Sequence, residues 1–163
     1  MPPPNPEHLF EQAIALVDRP GSRETDLRRA ISAAYYGLFH FVLTAAANMI
    51  VGAANQSTDR YRLVYRSVDH SRFRSLCSQL SATNPQNLPF VPSGGFGPIA
   101  DFARIAVYLH ELRNLADYDP SANFQSDETK LAISEARQAI KWFQKGTQEQ
   151  QETFLTLLLF KSR

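Results

Sequence analysis

Residues 98–118 read as one helix, and its second half carries the residue types that chemistry needs. His110, Arg113, Asn114 and Asp117 recur at i, i+3, i+4 and i+7, a spacing that puts all four on one patch of helix surface. Tyr118 follows at the helix end, with Asp119 just beyond it. A guanidinium can grip a phosphate with two parallel hydrogen bonds, and an imidazole can exchange a proton near neutral pH. Here Arg113 would contact phosphate, Asn114 and Asp117 would orient it, and Tyr118 would stack or donate a hydrogen bond. The plainer alternative is a solvated face with an Arg113–Asp117 ion pair one turn apart.

An earlier helix, about 23–51, offers a matching stripe. Arg29, Tyr36 and His40 stand at i, i+7 and i+11, and Ala33 between them leaves room. They could face His110, Arg113 and Asp117 across a polar seam between two long helices. Such a seam requires mutual pairing, because a buried charge without a partner is costly. The alternative is a core-packed Tyr36 and a hydrogen-bonded core His40, set between Phe39 and Phe41. A third group is Arg60, Arg62, Arg66, Arg72 and Arg74, interleaved with Tyr61, Tyr65 and Phe73 and opposed only by Asp69. Arginine forks suit phosphates and aromatic faces stack on unpaired bases, so Arg62, Arg66, Arg72 and Arg74 form a candidate nucleic-acid patch. Equally, the tyrosines could be core and the arginines paired with acids elsewhere.

Further signals are weaker. The run Ser93–Gly97 is glycine-rich but lacks the Lys-Ser/Thr of a phosphate-binding loop, so it reads as a flexible connection. Cys77, between Leu76 and Leu80, reads as a buried small apolar residue. His8, His40, His70 and His110 have no metal-ligand spacing, so neither a metal nor another cofactor is expected. The apolar run from Phe154 to Phe160 suggests a docked helix or an oligomer contact.

The elements that must position these residues are helical. Apolar periodicity marks helices at about 6–18, 23–51, 59–81, 98–118, 127–146 and 148–160. The third is one helix, or two broken near Asp69-His70-Ser71. Ser22 suits an N-cap, and Gly52, Asp119-Pro120 and Gly146 suit stops. Ala30, Ala33, Ala34 and Gly37 would let a neighbouring helix approach closely. Four prolines and three glycines make 82–98 a long irregular loop. No convincing strand or repeat is present. The expectation is a single all-α domain over 1–163, an up-and-down bundle of five to seven helices. It has a proline-rich tail at 1–5 and a C-terminal helix as appendage.

Composition sets the outer bounds. The chain has 163 residues, 44% of them hydrophobic, enough for a real core. Seventeen Lys+Arg against sixteen Asp+Glu leave +1, so no overall basic field points to DNA. One cysteine excludes an intramolecular disulfide framework. No apolar run reaches the roughly 18–20 residues of a membrane span, and MPPPNPEH has no secretory apolar core. A soluble, reduced, cytoplasmic setting is expected, with no membrane partner.

Two blocks resemble a known family. Leu27-Arg28-Arg29-Ala30-Ile31-Ser32-Ala33-Ala34-Tyr35-Tyr36-Gly37-Leu38-Phe39-His40 resembles the first long helix of the HEPN superfamily, where a basic residue precedes AYY-x-x-FH. Leu112-Arg113-Asn114-Leu115-Ala116-Asp117-Tyr118-Asp119 resembles its second signature, in the form RN-x-ADYD. The resemblance spans roughly 23–145. It implies a helical bundle that commonly forms homodimers. Many members are metal-independent ribonucleases built on an Arg and a following His. Others bind nucleotides or partner nucleotidyltransferases, as in toxin–antitoxin or defence systems. Here Tyr118 stands where the nuclease His would be, and no histidine follows His110. Tyrosine, with a reference pKa near 10, is a poor base at neutral pH. The reading is therefore a HEPN-like protein that binds nucleic acid or nucleotide with weak or no catalysis. The alternatives are a ribonuclease using Arg113 with His110 or His40, and a structural dimerisation module.

Overall fold

The computed structural model describes residues 2–82 and 87–161, and every regular element among them is helical. In order these are α1 (Pro6–Asp18), α2 (Glu24–Val51), a 3-10 turn (Ala53–Asn55), α3 (Asp59–Tyr65), α4 (His70–Ser81), α5 (Pro98–Tyr118), α6 (Ser126–Lys145) and α7 (Gln148–Leu159). The expected all-α bundle is present. The open question at 59–81 resolves as two helices: Asp69 ends the intervening turn and caps α4, its Oδ1 accepting the Arg72 N–H at 2.7 Å. That satisfies one of the free donors at a helix start. Ser22 is not the cap of α2. Its hydroxyl donates to the Leu16 carbonyl at 3.0 Å, and Asp26 accepts the Arg23 N–H at 2.9 Å instead.

The long helix α2 is the spine, packed on by α1, α3, α5, α6 and α7. Its small residues set how close the others come. At Gly37 an added Cβ would lie 2.5 Å from Phe10 Cε1, so α1 seats its phenyl ring directly on the α2 backbone. α2 is also the one helix among the described residues long and apolar enough to cross a membrane, with a mean hydropathy of 1.4 over its best window. This amends the expectation that no segment reaches that length. Within the bundle 61% of that window is buried, the position of a core helix.

The far side of the core is aromatic, with Phe102, Phe143 and Phe154 in edge-to-face contact. Phe154, Leu155, Leu157 and Leu158 are buried, so α7 is docked onto its own chain. Residues 83–86 of the expected loop lie outside the described residues. Its later part is pinned to the start of α7: Phe96 is buried, and Gln150 Nε2 donates to the Gly95 carbonyl at 3.0 Å.

Candidate functional site

The site forms where the C-terminal half of α5 crosses α2 beside the start of α4. Arg113 is its centre and is only 8% exposed. Nη2 donates to the Tyr36 hydroxyl at 2.9 Å and Nη1 to Asn114 Oδ1 at 2.9 Å. Nε lies 3.0 Å from Asp117 Oδ2, an ion pair whose angle is too poor for a hydrogen bond, and Nε has no other acceptor. The guanidinium carbon sits 5.5, 5.4 and 5.7 Å from the ring centres of Tyr35, Tyr36 and Tyr118. Burial works against the Arg113 charge. The Tyr36 hydrogen bond and the Asp117 carboxylate more than offset it, and its pKa is raised.

The expected seam between α2 and α5 exists, with different members. Tyr36 meets Arg113 as expected. Arg29 does not: it is exposed and makes no hydrogen bond or ion pair among the described residues. The contacts follow the i±4 ridge Arg28–Ser32–Tyr36, the usual line of helix packing. Arg28 donates to the carbonyls of Ala116 at 3.0 Å and Asp119 at 2.8 Å, and also to that of Ala122. It thereby caps the carbonyls at the C-terminal end of α5. Ser32 donates to Asp117. The i+4 repeat of Arg28, Ser32 and Tyr36 was the signal for this, hidden by the longer-period line through Arg29.

His40 takes the plainer of its two roles. Its Nδ1 is hydrogen-bonded to the Tyr65 hydroxyl, and its ring stacks on Tyr65 at 6.0 Å. The Tyr36 ring lies between it and Arg113. Burial lowers the His40 pKa and pushes the Tyr65 phenol up to about 12.

His70, the first residue of α4, joins the site unexpectedly. Its Nδ1 is 2.8 Å from the Tyr35 hydroxyl, and its ring packs 4.2 Å from that of Phe39. Burial, then the Arg113 charge and the neighbouring imidazole of His110, lower its pKa. No sequence spacing ties His70 to α5, because α4 and α5 are joined through the long loop.

His110, itself buried, and the half-buried Asn114 line an open groove of about 640 Å³, together with Arg74, Glu111, Leu115, Tyr118, Asp119 and Pro120. Tyr118 is 74% exposed there. Asn114 Nδ2 is 3.3 Å from His110 Nδ1. Burial, then the Arg74 and Arg113 charges, lower the His110 pKa, so its imidazole is neutral at physiological pH. The groove thus combines an exposed guanidinium paired with the Glu111 carboxylate, a neutral imidazole, an amide, an aromatic ring and the Asp119 carboxylate.

The arginine patch does not assemble as one surface. Arg62 and Arg66 border a pocket over Tyr61 and Tyr65, closed on its other side by Pro2–Pro4. Arg62 also pairs with Asp59. Arg72 caps the end of α7, donating to the carbonyls of Leu157, Leu158 and Phe160. Arg74 alone reaches the groove beside His110, 3.4 Å from Glu111. The helix is interrupted between Tyr65 and His70, so α3 packs on α2 while α4 packs on α5 and α7. Cys77 is buried, which pushes its thiol up. Among the described residues no cluster of His, Cys, Asp and Glu could hold a metal ion.

Comparison of the chain with protein-family models, with curated proteins and with solved structures finds no match.

Proposed function

We propose that this protein binds the phosphate backbone of RNA, or a nucleotide, in the groove at the end of α5, as a HEPN-like homodimer with weak or no catalysis. The observation that carries the reading is the convergence of Arg74, His110, Asn114 and the open face of Tyr118 on one cavity of about 640 Å³. A guanidinium recognises phosphate, an aromatic face accepts an unpaired base, and a neutral imidazole and amide fix orientation. Weak catalysis follows from Arg113. Its nitrogens are engaged by Tyr36, Asn114 and Asp117, so it is not free to hold a reacting phosphate. The homodimer is carried by the resemblance alone, as is a nucleotidyltransferase-type partner in a toxin–antitoxin or defence setting.

A specific observation keeps the ribonuclease as second reading: His110 faces the groove as a neutral imidazole, the form a general base requires. Fluorescence anisotropy with a labelled single-stranded uridine octamer separates the readings when paired with a cleavage gel. Binding without cleavage, weakened on the order of tenfold by Tyr118→Ala, is the expected result. Cleavage lost in both Arg113→Ala and His110→Ala would establish the enzyme instead.

A further inference from the structure

The guanidinium best suited to phosphate lies just behind the groove wall, closed off from it. We propose that His110 is an acid-operated latch: protonation of its imidazole breaks the Asn114 link that holds Arg113 inward and releases the guanidinium toward the groove. The proposal concerns regulation of the phosphate site and rests on that reading of the groove.

The hydrogen-bond polarity of the site carries the inference. Arginine only donates, so the Asn114 atom 2.9 Å from Nη1 is its oxygen. The amide nitrogen therefore faces His110 Nδ1 at 3.3 Å, and that nitrogen must accept. The neutral imidazole then carries its proton on Nε2. A protonated imidazole has an N–H on both nitrogens and no acceptor. Charging His110 therefore forces the Asn114 amide to invert or to part from it. Inversion would turn the amide N–H groups onto Nη1, donor against donor. Inversion costs Arg113 an acceptor, parting removes the contact that fixes the Asn114 amide against it, and in both cases a positive charge appears beside the guanidinium.

His70 reinforces the change. The His70 ring is fixed by a hydrogen bond between its Nδ1 and the Tyr35 hydroxyl at 2.8 Å, so charging His70 adds a second positive charge near Arg113. The groups facing these two imidazoles are Tyr35, Tyr36 and His40 on α2, Asp69 and Arg74 on or capping α4, and Glu111 and Arg113 on α5. Arg74 and Arg113 resist protonation, while Asp69 and Glu111 favour it. Tyr36 and Asp117 still hold Arg113 after the change, so the latch shifts a population.

The test reads Arg113 without any ligand. Side-chain NMR gives the exchange protection of its Nη1 protons, the ones that Asn114 holds, corrected for the intrinsic pH dependence of exchange. As the pH falls from about 7.5 until the His110 ring protons have titrated, protection is expected to fall on the order of tenfold, the scale of one lost charged hydrogen bond. The midpoint should match the titration of the His110 ring protons in the same samples. In His110→Gln, whose amide can accept from Asn114 and does not titrate, protection should stay constant. Constant protection in the natural protein, or a midpoint unrelated to His110, overturns the latch; so does an equal fall in His110→Gln. The natural-protein arm decides even where the variant does not fold. Anisotropy with the uridine octamer at both ends of that titration separates the two claims. Arg113 released with no gain in affinity would leave the latch standing and refute the phosphate reading.

Discussion

Tyr36→Phe removes one oxygen atom from the centre of the α2–α5 seam. That oxygen accepts Nη2 of Arg113 at 2.9 Å, and Arg113 is 8% exposed. Water cannot easily replace it, so the substitution leaves a charged donor unsatisfied. Hydrogen bonds to charged groups contribute about 1.5–3 kcal/mol, and the stranded group keeps its desolvation penalty. The expected loss is about 2 kcal/mol. For a domain of this size that lowers Tm by about 4–8 °C. The assay is a double-mutant cycle by thermal and denaturant unfolding, with Arg113→Met as the second change. Methionine keeps most of the volume and needs no acceptor. In the Met background Tyr36→Phe should cost no more than about 0.5 kcal/mol, because the coupling between the two side chains is gone. An equal loss in both backgrounds would show that Tyr36 acts through packing alone.

Three other outcomes follow from the same geometry. Gly37→Ala should destabilise by about 1–3 kcal/mol in denaturant unfolding, since its Cβ would meet the Phe10 ring, and Phe10→Leu should restore part of the loss. Arg28→Met should cost about 2 kcal/mol and speed amide exchange at Asp119–Ala122, whose carbonyls lose their donor. Stability should also depend on acid: burial lowers the pKa of His40, His70 and His110 in the fold, while the unfolded chain titrates near the ordinary value of about 6.5. Below that value the unfolded state binds more protons, so Tm should be level above about pH 6.5 and fall as the pH drops through the folded values. A Tm unchanged down to about pH 5 would contradict the buried imidazoles.

The helices were legible because each carries its own local signals. Pro6 and Pro98 open α1 and α5, Gly52 and Gly146 follow α2 and α6, and the apolar spacing between them is helical throughout. The site was legible where partners share a helix, and across helices at one pair alone, Tyr36 with Arg113. Arg113, Asn114 and Asp117 meet through i+1 and i+4 geometry, which spacing alone supplies. Partners on different helices depend on the crossing, and the crossing picked the ridge of Arg28 over the line through Arg29. His70 stayed hidden for the same reason: its contact with Tyr35 joins residues 35 positions apart on different helices. The arginine patch divides because the helix is interrupted between Tyr65 and His70, leaving α3 packed on α2 and α4 on α5.

The central claim is that the groove beside His110 takes a phosphate-bearing ligand. Backbone and side-chain NMR during titration with the uridine octamer tests it most directly. Saturable shifts confined to Arg74, His110, Asn114, Leu115 and Tyr118, weakening as salt rises, are the expected result. Shifts centred on Arg62 and Arg66 instead, or none at all at low salt, would contradict it.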